Sequence, residues 1–123
     1  MTIISADPIT VYFKLAAKHL KNEYVLFSGH HDHDGVEAPV NGDSIWNGAD
    51  DNASVSVAFL AIGRAFVKQP AKRSALFVWH GSEERGLFGS QWYAQHPKGK
   101  KENIVSVINA DMIGRNKNSP RIL

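Results

Sequence analysis

The sequence predicts an α/β fold of three layers, α/β/α, built around a mostly parallel central sheet. Two observations carry this expectation. Residues 23–28, 74–79 and 104–108 are short, continuous apolar runs, the pattern of strands buried on both faces, as in parallel sheets. Between the first two lies a helical pattern, in which Val55, Phe59, Ile62 and Phe66 recur on one face. Helices alternating with such strands pack on both sides of one sheet. The 123 residues suit a single domain, 1–123, and a domain of this size can bury about two-thirds of its unfolded surface.

In chain order, residues 9–21 are expected to be helical, with Pro8 near the start and Val11, Leu15, Ala16 and Leu20 as the apolar stripe. The first strand follows. Residues 30–50 then form a long connection rich in His, Asp, Gly and Pro, and loops of that length within a compact domain are functional or mobile. The stretch Asn47-Gly48-Ala49-Asp50-Asp51-Asn52-Ala53-Ser54 is a small-residue turn. Gly48 frees the backbone to turn sharply, and Asp51 and Asn52 are of the type that caps a helix. The helix of residues 52–68 stops before Pro70, a short helix over 87–95 stops before Pro97, and the chain after Gly114 is polar and irregular until its last residues.

Composition narrows the function. Hydrophobic residues at 43% and charged residues at 21% are ordinary for a globular protein. A net charge of +2 supplies no dense basic stripe for nucleic acid, and Lys98-Gly99-Lys100-Lys101 reads as a solvated loop. There is no cysteine, so a metal would have to be held by His, Asp or Glu. No apolar run is long enough to cross a membrane, and Met1 to Ser5 lacks the features of a signal peptide. Either the protein is cytoplasmic or the chain begins after an export signal, and the compartment stays open.

The chemistry gathers at the strand ends. The first strand runs into Gly29-His30-His31-Asp32-His33-Asp34-Gly35, the second into His80-Gly81-Ser82-Glu83-Glu84, and the third into Asn109-Ala110-Asp111-Met112. In open α/β sheets the ligand crevice lies outside the carboxyl ends of the strands. Imidazoles and carboxylates suit Zn²⁺, and two metals side by side need a bridging carboxylate, which an aspartate on a rigid turn can supply. Glu83 and Glu84 should diverge if their segment is extended. His30 and Asp32 are spaced so that Asp32 can orient the His30 ring. His31, His33 and Asp34 read as loop residues beside the site, Asp50 as structural, His80 as lying beneath the site and His96 as surface. Trp46 could wall a substrate pocket, whereas Trp79 and Trp92 read as packing.

In their order, Gly29 to Gly35, Gly48-Ala49-Asp50-Asp51-Asn52-Ala53-Ser54, Glu83-Glu84-Arg85-Gly86-Leu87-Phe88-Gly89-Ser90 and Asp111-Met112-Ile113-Gly114 resemble the co-catalytic zinc aminopeptidases, relatives of bacterial leucyl aminopeptidase and glutamate carboxypeptidase. The resemblance spans residues 24–115 and implies a zinc-dependent exopeptidase acting on peptide N-termini, with two zincs in a complete site. It implies that His30 and Asp111 bind one zinc, Glu84 the other and Asp51 both, with the peptide after Asp51 often cis. Asp32 would stand behind His30, and Glu83 would be the general base toward a water that the metals activate. Val55 stands where the family commonly has glycine. The family's fifth ligand, a histidine downstream of the Asp111 position, does not occur before Leu123, and family domains are longer than this chain. The expected sheet is therefore incomplete relative to the family domain, and one zinc or none is expected in this chain. Two other functions stay open: a non-catalytic or inactive metal-binding fragment that lacks the final histidine ligand, and a carboxypeptidase-type hydrolase on the same scaffold. The partners implied are a peptide substrate and, through an exposed apolar sheet edge, a second copy of the chain. Neither nucleic acid nor membrane is expected.

Overall fold

Seven strands and two helices account for most of the chain in the computed structural model, which describes residues 2–7 and 10–115. Strands β1 (Thr2–Asp7), β2 (Thr10–Leu15), β3 (Leu20–His30), β6 (Arg73–His80) and β7 (Ile104–Asn109) form one sheet in the order β1-β2-β6-β3-β7. β3 is parallel to both β6 and β7, while β2 is antiparallel to β6 and to β1. Four strands therefore point one way and β2 runs against them. Strands β4 (Gly35–Val40) and β5 (Asp43–Trp46) form a separate hairpin.

The three layers are explained by the pleat of β6, whose successive side chains point to opposite faces. Ala75, Phe77 and Trp79 face helix α1 (Val55–Lys68), and Leu76 and Val78 face the side covered by Tyr93 of α2 (Phe88–Gln95). Phe77, fully buried, is paired in register with Phe13 of β2 and Phe27 of β3. Its ring stacks on both at centroid separations of 4.7 Å. Such cross-strand aromatic pairs fix the register of adjacent strands. Phe59 and Phe66 of α1 meet the stack edge-on at 6.2 and 6.3 Å, a favoured geometry for ring quadrupoles. Gly29 admits the helix closely: a Cβ there would lie 2.8 Å from Cγ1 of Val55.

Four expectations need correction. Residues 9–21 are not helical, because Thr10 to Leu15 form β2. The β-branched and aromatic run Thr10-Val11-Tyr12-Phe13 favours a pleated surface, with Tyr12 in the α2-side core and Phe13 and Leu15 against the α1 side. The 30–50 connection contains a hairpin, turned by Asn41 and Gly42 at φ 53° and 85°. Two consecutive positive φ values match the two-residue turns that the strand twist favours. The helix begins at Val55 rather than at residue 52, since Asp51 (φ −100°, ψ 91°) and Asn52 (φ −133°, ψ 36°) are not helical and neither serves as a side-chain cap. Finally, Glu83 and Glu84 lie in a turn, with Gly86 and Leu87 N–H groups both donating to the Glu83 carbonyl at 2.9 Å. The polar tail from residue 116 lies outside the described residues, as does Pro8. Among the described residues no helix is long and apolar enough to cross a membrane.

Candidate metal centre

His30 is the last residue of β3 and is 4% exposed. Its Nδ1–H donates to the Asp32 carbonyl oxygen at 3.1 Å, which leaves Nε2 with its lone pair free. That nitrogen lies 3.1 Å from Oδ1 of Asp51 and 3.4 Å from Oδ1 of Asp111. Strand β3, the turn Ala49–Ser54 and the loop after β7 thus deliver one atom each to a single point.

Nε2 of His30 and Oδ1 of Asp51 are buried and make no hydrogen bond, a rarity for buried polar atoms. A lone pair and two carboxylates facing one another call for a cation. Two atoms that ligate one zinc at 2.0–2.2 Å in tetrahedral geometry stand about 3.3 Å apart, close to both separations found. The three residues therefore fit a zinc ion by charge, donor type and spacing. The same field acts on a proton. Burial alone would lower the His30 pKa, but Asp111, the Asp32 carbonyl, Glu83 and Asp51 outweigh it and raise it above 6.5.

The polar residues of the Ala49–Ser54 turn hold Asp111 in place. Asn52 Oδ1 accepts from the Met112 N–H at 3.4 Å, Ser54 Oγ from Ile113 at 3.2 Å and Asp50 Oδ1 from Gly114 at 2.7 Å. Ser54 Oγ–H donates in turn to the Asp50 carbonyl at 2.7 Å. Asp50 is thus structural, as expected. Asn52, 2% exposed, belongs to this clamp rather than to a helix cap. The Asp51–Asn52 peptide bond is cis, as the resemblance implied.

The turn after β6 supplies the remaining acids. His30, Glu83 and Glu84 each offer a ligand atom within 4.8 Å of the others, so the two glutamates approach one site instead of diverging. Burial raises the Glu83 pKa, His30 opposes this, and Glu84, Asp111 and Asp32 add to the rise. Asp32 Oδ1 is 3.6 Å from His30 Nδ1, while its Oδ2 accepts from the Glu84 N–H at 3.4 Å. Asp32 therefore orients His30 chiefly through its carbonyl, and its carboxylate links the ends of β3 and β6.

His33, a loop residue beside the site in the sequence, has its Nδ1 2.8 Å from Oε1 of Glu84. The one hint in the sequence is its place in a run of metal-type residues. The strand alternation that assigns His30 and Asp32 stops at His30, so spacing could not aim His33. The other residues fall where expected. His80, 6% exposed, lies beneath the site, bonded through Nε2 to Ser28 Oγ at 3.0 Å. Burial, then His31 and His30, push its pKa down to about 4. His96 stacks on Trp92 at the surface. Trp46 lines an open pocket of about 320 Å³ with His33, Val40, Asp43, Ile45 and Asn47.

A layered α/β sheet whose strand ends converge His, Asp and Glu on one point defines the scaffold of a candidate metal site. The model of "Peptidase family M28" matches residues 10–122, and the chain belongs to that family. It is 32% identical over 115 residues to a "Probable zinc metalloprotease" of Pyrenophora teres f. teres, a match covering 94% of this chain and 24% of the relative. It is 36% identical over 91 residues to "Leupeptin-inactivating enzyme 1" of Streptomyces exfoliatus, covering 73% of this chain and 19% of the relative. Among solved structures it is similar to BSAP, a zinc aminopeptidase from Bacillus subtilis, with a TM-score of 0.66 and 27% identity over 85% of this chain and 24% of that one. The chain thus spans about a quarter of the length of these relatives.

Proposed function

We propose that this chain carries the metal-binding and proton-transferring part of a zinc-dependent exopeptidase that cleaves at peptide N-termini. The observation behind this reading is the pair of orphaned buried atoms, Nε2 of His30 and Oδ1 of Asp51, beside Asp111. His30, Asp51 and Asp111 would hold one zinc, and Asp51 and Glu84 the second. Zinc held there would supply a Lewis acid that acidifies water and polarises the scissile carbonyl. Glu83 would take the proton from the attacking water and deliver it to the departing amine. A carboxyl with a raised pKa is suited to both transfers, because base strength and protonation are then balanced nearer working pH. Membership in a peptidase family and relatives named as zinc metalloproteases support this assignment.

The test measures release of the first residue from a peptide with a free amino terminus and from the same peptide acetylated there. Release should occur only from the free peptide, cease on chelation and return with Zn²⁺. Glu83→Gln should lower the rate about 10²–10⁴-fold. Equal cleavage of both peptides would overturn the N-terminal exopeptidase reading, and full activity of Glu83→Gln would remove Glu83 as the base.

A further inference from the structure

We infer that His33 is a positioning residue for Glu84, holding one carboxylate oxygen so that the other is presented to a cation. This rests on Glu84 being a metal ligand, and it adds a residue for which no role was assigned.

Hydrogen bonding separates a ligand from a partner of a ligand: a ligand atom keeps its lone pair free, and a partner spends a proton on the ligand. His33 Nδ1 and Glu84 Oε1 are 2.8 Å apart. That is the length of a charge-assisted N–H···O bond, about 2.7–2.9 Å. It is shorter than the roughly 3.3 Å between two ligands of one tetrahedral zinc. His30 Nε2 and Asp51 Oδ1 make no hydrogen bond although they lie 3.1 Å apart, whereas His33 Nδ1 and Glu84 Oε1 are hydrogen-bonded to each other. Nδ1–H of His33 therefore donates to Oε1. A hydrogen bond of this kind fixes which oxygen of a ligating carboxylate stays free and where it points.

His33 is itself held firmly. Gly48, at φ 61°, leaves no room for a Cβ, which would stand 2.9 Å from Cβ of His33 and 2.7 Å from the Asp51 carbonyl oxygen. The Trp46 ring lies 6.4 Å from the imidazole at a 33° tilt. Side-chain exposures of 21% for His33 and 19% for Glu84 remove much of the competition from water. The turn that carries Asp51 thus also braces the residue that steers Glu84, and the two halves of the site share one support.

The experiment measures Zn²⁺ affinity and stoichiometry by chelator competition for the wild type, His33→Ala and His33→Asn, with thermal unfolding of each metal-free protein as a check on folding. The asparagine amide can donate from near the position of Nδ1. His33→Ala should weaken one zinc about 10–100-fold and leave the His30 zinc unchanged. His33→Asn should restore affinity to within a few-fold of wild type, at unchanged stoichiometry. Wild-type affinity in His33→Ala would overturn the proposal, leaving Glu84 a ligand without need of His33. Loss of one zinc in both variants would also overturn it, making His33, which lies with Asp34 within 4.8 Å of Glu84, a ligand itself. If the wild type binds no zinc, the metal-site reading fails and this proposal falls with it.

Discussion

Strands β6 and β7 are both parallel partners of β3 and both read as buried apolar runs, yet their surroundings are opposite. β6 lies between β2 and β3 with all residues from Ser74 to His80 buried. β7 is an outer strand on which Val105, Val107 and Ile108 are 49%, 56% and 45% exposed. An apolar run therefore reports what a strand is suited to touch, and not what touches it. The two strands also hold their ends differently. β6 reaches the site through packed aromatic rings, whereas the loop after β7 is fixed by hydrogen bonds from Asn52, Ser54 and Asp50. Packing and a polar clamp place the two banks of the candidate metal site.

The largest effect should come from the packed strand. Phe77→Ala removes the ring at the centre of the stack and should cost about 3–5 kcal/mol in denaturant unfolding. A loss below 1 kcal/mol would mean that β6 does not organise the core.

The end of the same strand should make stability depend on pH. His80 has a folded pKa of about 4 against 6.5, so between those values the unfolded chain binds a proton that the folded chain refuses. Stability should fall as pH drops from 6.5 to 4, by about 3 kcal/mol at most, and should be full above 6.5. His30, with its raised pKa, acts in the opposite sense, contributing stability below 6.5 that is lost as pH rises through its folded value. Unfolding curves of His80→Gln across this window should be flatter than wild type, and an unchanged slope would assign the loss to other groups.

A smaller effect tests how close α1 lies to β3. Gly29→Ala would place a Cβ 2.8 Å from Cγ1 of Val55 and 3.3 Å from the Ala110 carbonyl oxygen. The stiff β-branched Val55 cannot swing aside freely, so the change should cost about 1–3 kcal/mol. Adding Val55→Ala should recover part of it, and strict additivity of the two changes would contradict the contact.

The exposed strand should respond least. Val107→Lys is expected to change stability by no more than about 0.5 kcal/mol. Among the described residues no strand pairs with the outer side of β7, and an apolar edge invites pairing with another strand, so self-association in light scattering is expected in the wild type and should be reduced in this variant. A wild type that stays monomeric at all concentrations would show that the β7 edge does not pair in solution.

Local patterns made the parallel strands and the long helix legible in the sequence, because buried strands and one-faced helices announce themselves over a few residues. β2 is hidden in the sequence because the spacing of Val11, Leu15, Ala16 and Leu20 imitates a helix. What makes Thr10–Leu15 a strand is pairing with β6, more than sixty residues away by register (Thr10 with His80), and no local pattern carries that. The hairpin was readable in Asn41-Gly42, whose chemistry favours a tight turn, but the length of the connection masked it. At the site, residue order pointed to His30, Asp51, Glu83, Glu84 and Asp111, and the ligand atoms of these residues lie in two groups that share His30. The His33–Glu84 contact and the Asn52 clamp join positions 51 and 60 residues apart, and only the folded chain defines them.

His30, Asp51 and Asp111 are proposed to surround one cation. Anomalous diffraction at the zinc absorption edge, from crystals grown with Zn²⁺, tests this most directly. A zinc peak is expected about 2.0–2.2 Å from Nε2 of His30 and from a carboxylate oxygen of each aspartate. Zinc bound only elsewhere, with Nε2 of His30 hydrogen-bonded to another protein group, would contradict it.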